Sequence, residues 1–125
     1  MTGTVAIICN GEFPRKPYPL YLIRTADIII CCDGAAAAYF RNMKRIFGPE
    51  SPERQPDVII GDMDSLPRSI AGKFGGRLIH IAEQETNDLS KAVNYAVSEI
   101  PGISKILIFG ASGKREDHTI GNMAL

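Results

Sequence analysis

Five short apolar runs punctuate this chain: Val5–Cys9, Ile28–Cys32, Val58–Ile60, Leu78–Ile81 and Ile106–Phe109. Within most of them successive positions are apolar and often β-branched, where a strand with one wet face would alternate apolar with polar. That pattern predicts strands covered on both faces. Between the runs the spacing turns helical. Leu66, Ile70 and Phe74 recur every four residues, and Leu89, Ala92, Val93, Ala96, Val97 and Ile100 form a longer stripe. Ala36, Tyr39, Phe40, Met43 and Phe47 form a less regular one, and a short helix is expected to run through Arg24. Strand–helix alternation predicts an α/β fold, a Rossmann-like open and mainly parallel sheet with helices on both faces. Right-handed crossovers then bring the carboxyl end of every strand to one edge.

The 125 residues are expected to form one domain, and 45% hydrophobic content is enough for a sizeable core. The formal net charge of zero excludes a global field that would attract nucleic acid or an anionic membrane. No apolar run approaches the ~20 residues needed to span a bilayer. The first residues lack the basic and apolar segments of a signal peptide, so a cytoplasmic location is expected. Cys9, Cys31 and Cys32 are odd in number, sit inside apolar runs and lack C-x-x-C spacing. They read as small buried hydrophobes in a reducing compartment. His80, between Ile79 and Ile81, reads as structural. Asp117–Leu125 is expected to open a helix with Ile120, Met123 and Ala124 as its apolar positions, and its end at Leu125 suggests that more polypeptide follows.

Polar residues collect where the strands end. The runs are followed in turn by Asn10-Gly11-Glu12, Asp33-Gly34, Gly61-Asp62-Met63-Asp64-Ser65, Glu83 through Asp88, and Gly110 through His118. In an open α/β sheet, ligands bind outside the carboxyl ends of the strands. Asp33, Asp62, Asp64, Asp88 and Asp117 are therefore expected to converge in one crevice. Unpaired carboxylates at such a place repel each other and lose solvation. A shared divalent cation relieves this, and magnesium is commonly held by one or two carboxylates plus substrate phosphates.

Each residue also has a plainer reading. Asp33 could cap the alanine-rich helix. Asp62 and Asp64 could form a solvated turn, with Ser65 as N-cap and Pro67 in the first helical turn. Asp88 could serve only the dipole of its helix or pair with Lys91 on the surface. The fifth turn is not a Walker A loop, because Gly110 and Gly113 stand too close together and Arg115 follows Lys114. Those glycines still permit close approach to a phosphate, and Arg115 offers a two-pronged donor, unless it pairs with Glu116 or Asp117. His118 reads equally as a ligand, an acid or a helix-start residue. The absence of G-x-G-x-x-G leaves dinucleotide oxidoreduction without a fingerprint.

Taken together, Asp33-Gly34-Ala35-Ala36, Pro56 through Ser65, Gln84 through Asp88 with Lys91-Ala92, and Gly110 through His118 with Asn122 resemble the thiamine pyrophosphokinase family. The blocks follow the family's order and cover nearly the whole chain. The resemblance implies transfer of a pyrophosphoryl group from ATP to the hydroxyl of thiamine, giving thiamine diphosphate and AMP. It implies Asp62, Asp64 and Asp88 as Mg2+ carboxylates, with Asp33 and Asp117 completing the acidic crevice. Arg115 would hold phosphate and Gln84 would approach thiamine. Asn10 and Gly11 would shape the nucleotide site, together with Gly34, Gly110, Gly113 and His118.

Glu83-Gln84-Glu85-Thr86-Asn87-Asp88 departs from the family's Asp-Gln-Asp-x-Thr-Asp, and Lys114 stands where glycine is common. The family's second, β-rich domain, which completes the thiamine pocket and contributes to a homodimer, is absent from the sequence. Residues 1–125 thus read as an ATP- and magnesium-binding catalytic domain, truncated at its C-terminus. The competing readings are a diphosphokinase acting on another alcohol, such as a pterin, and a nucleotide- or metal-binding module without turnover.

Overall fold

The computed structural model describes residues 3–49, 51–61, 68–81, 88–110 and 118–122, with the backbone alone at 71, 73, 88 and 118–122. Strands β1 (Thr4–Ile8), β2 (Ile28–Cys32), β3 (Val58–Gly61), β4 (Arg77–His80) and β5 (Lys105–Phe109) fall on the five apolar runs, and β6 spans His118–Asn122. They form one sheet in the order β4-β3-β2-β1-β5-β6. β1 through β5 pair in parallel, and β6 lies antiparallel to β5.

Helices α1 (Pro17–Arg24), α2 (Ala35–Arg41), α3 (Met43–Phe47), α4 (Arg68–Lys73) and α5 (Asp88–Glu99) connect the strands. Pro17 and Pro19, expected in a loop, instead open α1, where their missing N–H groups have no intrahelical acceptor to lose. The loosely periodic stretch from Ala36 to Phe47 divides at Asn42 into α2 and α3.

The pleat sends alternate side chains to opposite faces. Val5, Ile7, Ile30, Cys32, Val58 and Ile60 pack beneath Ala92 and Ala96 of α5. Ala6, Ile8, Ile29, Cys31 and Ile59 pack against Leu20 and Ile23 of α1, Ala36 and Tyr39 of α2, and Ile46 of α3. Each fully buried isoleucine contributes about 1.5–3 kcal/mol. Coverage on both faces explains the unbroken apolar runs. Cys31 and Cys32 are buried and Cys9 partly so, all three as free thiols, and burial pushes the Cys31 thiol up.

Two expectations are corrected. β4 is not covered on both faces: it is a terminal strand beside a six-residue α4, and Arg77, Leu78 and His80 remain exposed. Residues 118–122 form a strand, not a helix. β-Branched Thr119 and Ile120 favour extended backbone, Gly121 weakens a helix, and β5 offers a ladder to join.

The amino edge is held by polar staples. Arg54 donates to the carbonyls of Ala26 and Asp27, both at 3.0 Å, and to Asp57 at 3.2 Å. Asp57 also accepts from the Ile29 amide at 2.8 Å, and the Asp27 carboxylate accepts from the Gly3 and Thr4 amides at 3.0 and 2.9 Å. Among the described residues no helix is long and apolar enough to cross a membrane.

Candidate active site at the carboxyl edge of the sheet

The chain steps outward from β1 through β2 and β3 to β4, then returns along α5 to place β5 on the other side of β1. The sheet's direction of growth therefore reverses at β1 and β5, and a crevice opens outside their carboxyl ends at such a switch point. In register, Ile8 faces Cys31 on one side and Phe109 on the other.

Three close approaches bring the neighbouring turns together. The Cys9 amide donates to the Phe109 carbonyl at 2.8 Å, extending the β1–β5 ladder by one residue. Gly110 follows with φ +71°, and a Cβ there would stand 2.8 Å from the Cys9 carbonyl oxygen. A side chain would therefore force the two turns apart. The side-chain amide of Asn10 leans on Gly34, with its Nδ2 only 2.6 Å from the place a Cβ would take. Gly34 stands at the N-cap of α2, so Asp33, read above as a possible cap, lies one residue before that position. The Asp33 amide donates to the Ile60 carbonyl at 2.8 Å, and its residue is 3% exposed. Asn10, Gly34, Asp33 and Gly110 are thus assembled around one edge, with Gly11 in the turn after β1.

The remaining candidates enter through their anchors. Asp62 and Asp64 belong to the segment between Gly61 and Arg68, and Gln84 to that between Ile81 and Asp88. Gly113, Arg115 and Asp117 belong to that between Gly110 and His118. All six lie outside the described residues. The Asp88 backbone begins α5, and the His118 backbone begins β6 opposite Phe109, which removes the helix-start reading of His118. Because β6 is antiparallel to β5, Gly110 and the His118 backbone both stand at the carboxyl edge. Among the described residues, no three His, Cys, Asp or Glu side chains form a metal-holding group.

One alternative placed Lys91 on the surface as a partner for Asp88; Lys91 is instead 5% exposed in the first turn of α5. A separate cleft of about 350 Å³ is lined, among the described residues, by Phe40, Met43, Gln55, Ser69 and Ile70 and by no candidate residue.

The order of strands and the close packing of turns at the switch point define an open α/β domain. Residues 20–125 match the family model described as "Thiamin pyrophosphokinase, catalytic domain". The chain belongs to that family. It is 33% identical over 130 residues to "Thiamine pyrophosphokinase 1" of Oryza sativa subsp. japonica, covering 94% of this chain and 48% of that protein. It is 31% identical over 135 residues to "Thiamine pyrophosphokinase 2" of Arabidopsis thaliana, covering 98% and 50%. The yeast thiamin pyrophosphokinase crystal structure shares the fold, with a TM-score of 0.62 at 23% identity, over 80% of this chain and 33% of that one. The chain spans about half the length of the curated relatives it matches.

Proposed function

We propose that this chain is the ATP-binding catalytic domain of a thiamine diphosphokinase, which transfers a pyrophosphoryl group from ATP to the hydroxyl of thiamine and releases AMP. The observation that carries the reading is the packing of the turns at the carboxyl edge: Asn10 lies against Gly34, Gly110 against the Cys9 carbonyl, and buried Asp33 against Gly61. Family membership supplies the chemistry, and the names of the relatives supply the acceptor.

Asp62, Asp64 and Asp88 would hold Mg2+. The fit rests on donor chemistry, since all three offer carboxylate oxygens, the hard ligands that magnesium prefers. It also rests on topology: the described backbone enters the Asp62–Asp64 segment from the carboxyl end of β3, and Asp88 opens α5 at that same edge. When bound, the ion would offset the charge that develops on the phosphate oxygens. The protein's own part is positioning. Gly110 admits backbone close to the polyphosphate, Asn10 and Gly34 shape the nucleotide side with Gly11, Gly113 and His118, and Arg115 grips phosphate. Gln84 orients thiamine, and Asp33 and Asp117 complete the acidic wall. In-line placement of hydroxyl and phosphorus supplies most of what such a transfer requires.

The protein is read as cytoplasmic, in keeping with its free thiols, and as a homodimer in full-length form. In a second reading, this domain binds nucleotide and metal without turnover. Calorimetric titration with ATP, with and without magnesium, tests the shared core of both. Magnesium-dependent binding is expected; absent or magnesium-independent binding overturns both. Formation of AMP in the presence of thiamine then separates the catalytic reading from the binding module.

A further inference from the structure

His80 stands at the carboxyl edge on a strand that gives it no core to fill. It is the last residue of β4, it is exposed, and it lies in register with Gly61 of β3. The Ile81 amide donates to the Gly61 carbonyl at 2.8 Å, so the β3–β4 ladder continues past this pair. On the other side of β3, the Asp33 amide donates to the Ile60 carbonyl, and a Cβ on Gly61 would stand 2.9 Å from the Cβ of Asp33. Ile79 and Ile81 pack in the layer with α5, so the pleat turns His80 to the opposite face, the one that carries Cys31 and Ile59. By the same alternation Asp33 and Gly61 belong to that face. Asp33, Gly61 and His80 therefore form one row across three strands, just beyond the core. Gly61 contributes only hydrogen to it, which leaves a gap between a buried carboxylate and an exposed imidazole. Two strand spacings, about 10 Å, separate the backbones of Asp33 and His80, and a ligand resting on Gly61 meets the imidazole at its side.

We propose that His80 is an acceptor-binding residue, whose imidazole hydrogen-bonds the heterocyclic alcohol that receives the pyrophosphoryl group. This rests on the thiamine diphosphokinase reading above. The nucleotide end of the edge lies at β1 and β5, where Asn10, Gly34 and Gly110 pack, and β2 and β3 stand between that end and His80. A molecule that reaches His80 therefore occupies the end away from the nucleotide. Gln84, proposed for thiamine, follows four residues later in the sequence. The chemistry suits an alcohol on a cationic ring. A neutral imidazole accepts from a hydroxyl at one nitrogen and donates at the other, whereas a lysine or arginine at this place would repel the thiazolium.

The test is calorimetric titration of the 125-residue chain, first with Mg2+ and an ATP analogue whose α–β bridge is methylene, then with thiamine once the analogue is bound. His80→Leu is expected to weaken thiamine binding about three- to tenfold, the scale of one hydrogen bond, and to leave affinity for the analogue unchanged. His80→Gln, which keeps a donor and an acceptor, is expected to recover part of that loss. Both variants are expected to melt with the parent, because the side chain is exposed. Unchanged thiamine affinity in His80→Leu overturns the role of His80 alone. So does a loss confined to the analogue, which would place the imidazole on phosphate, and so does a parent chain that takes the analogue and no thiamine. A parent chain that binds no analogue overturns the functional reading as well.

Discussion

Gly61 and Asp33 touch across the carboxyl ends of β3 and β2: a Cβ on Gly61 would stand 2.9 Å from the Cβ of Asp33, and Gly61 has φ +152°. The neighbour here is the base of a buried side chain, which cannot swing aside. Gly61→Ala is therefore expected to lose about 1–3 kcal/mol of stability and to weaken magnesium-dependent ATP binding by displacing Asp33. Urea denaturation and calorimetry on the same variant check both effects.

Gly34 makes a contrasting case. A Cβ there would meet the far end of the Asn10 side chain, which can rotate, and Gly34 has an ordinary helical φ of −64°. Gly34→Ala is expected to change stability by less than about 1 kcal/mol while reducing ATP affinity several-fold, because Asn10 is turned out of its place. Wild-type ATP affinity in this variant would show that the Asn10–Gly34 contact has no part in nucleotide binding.

Asp62→Asn and Asp64→Asn each remove one anionic oxygen donor and conserve side-chain size. Each is expected to abolish the magnesium dependence of ATP binding and to leave the melting temperature within a few degrees of the parent. Retained magnesium-dependent binding in both would remove them from the metal site.

Arg54 holds the opposite edge through two backbone carbonyls and Asp57. Arg54→Met leaves those acceptors short of a donor. A loss of about 1.5–3 kcal/mol is expected, as for hydrogen bonds to charged groups, with ATP affinity unaltered. Denaturation and titration of this variant separate amino-edge stability from carboxyl-edge function.

Asp27 gives a pH signature. Hydrogen bonds from the Thr4 and Gly3 amides hold its carboxyl below the usual range. A lowered carboxylate pKa contributes stability that is present above the unfolded value and disappears as pH falls through the folded one. Asp27→Ala is therefore expected to melt below wild type at pH 7, with the gap closing as the pH drops through and below about 4. A gap that does not depend on pH would remove the carboxylate from the account.

Much of the architecture was legible because it is written in local pattern. Unbroken apolar runs at Ile28–Cys32 and Ile106–Phe109 mean two-sided burial wherever they occur, and the stripe from Leu89 to Ile100 suits a helix laid on such a sheet. The place of Asp33 and Gly34 at the carboxyl edge was legible from their position after a strand. Lys91 and residues 118–122 were not. A lysine three residues after an aspartate looks the same whether it faces water or a core, and Thr119-Ile120-Gly121 takes its conformation from an available neighbour, β5.

The alternation of apolar runs and helical stripes, the parallel sense of the sheet and the shared edge for its polar turns follow from the chain's own chemistry, since periodicity and crossover handedness are short-range constraints. The order β4-β3-β2-β1-β5-β6, the uncovered β4, the burial of Lys91 and the contacts of Gly61 with Asp33 and Gly34 with Asn10 were decided by tertiary structure. They depend on which distant segments meet, and a residue's own neighbours in sequence carry no record of that.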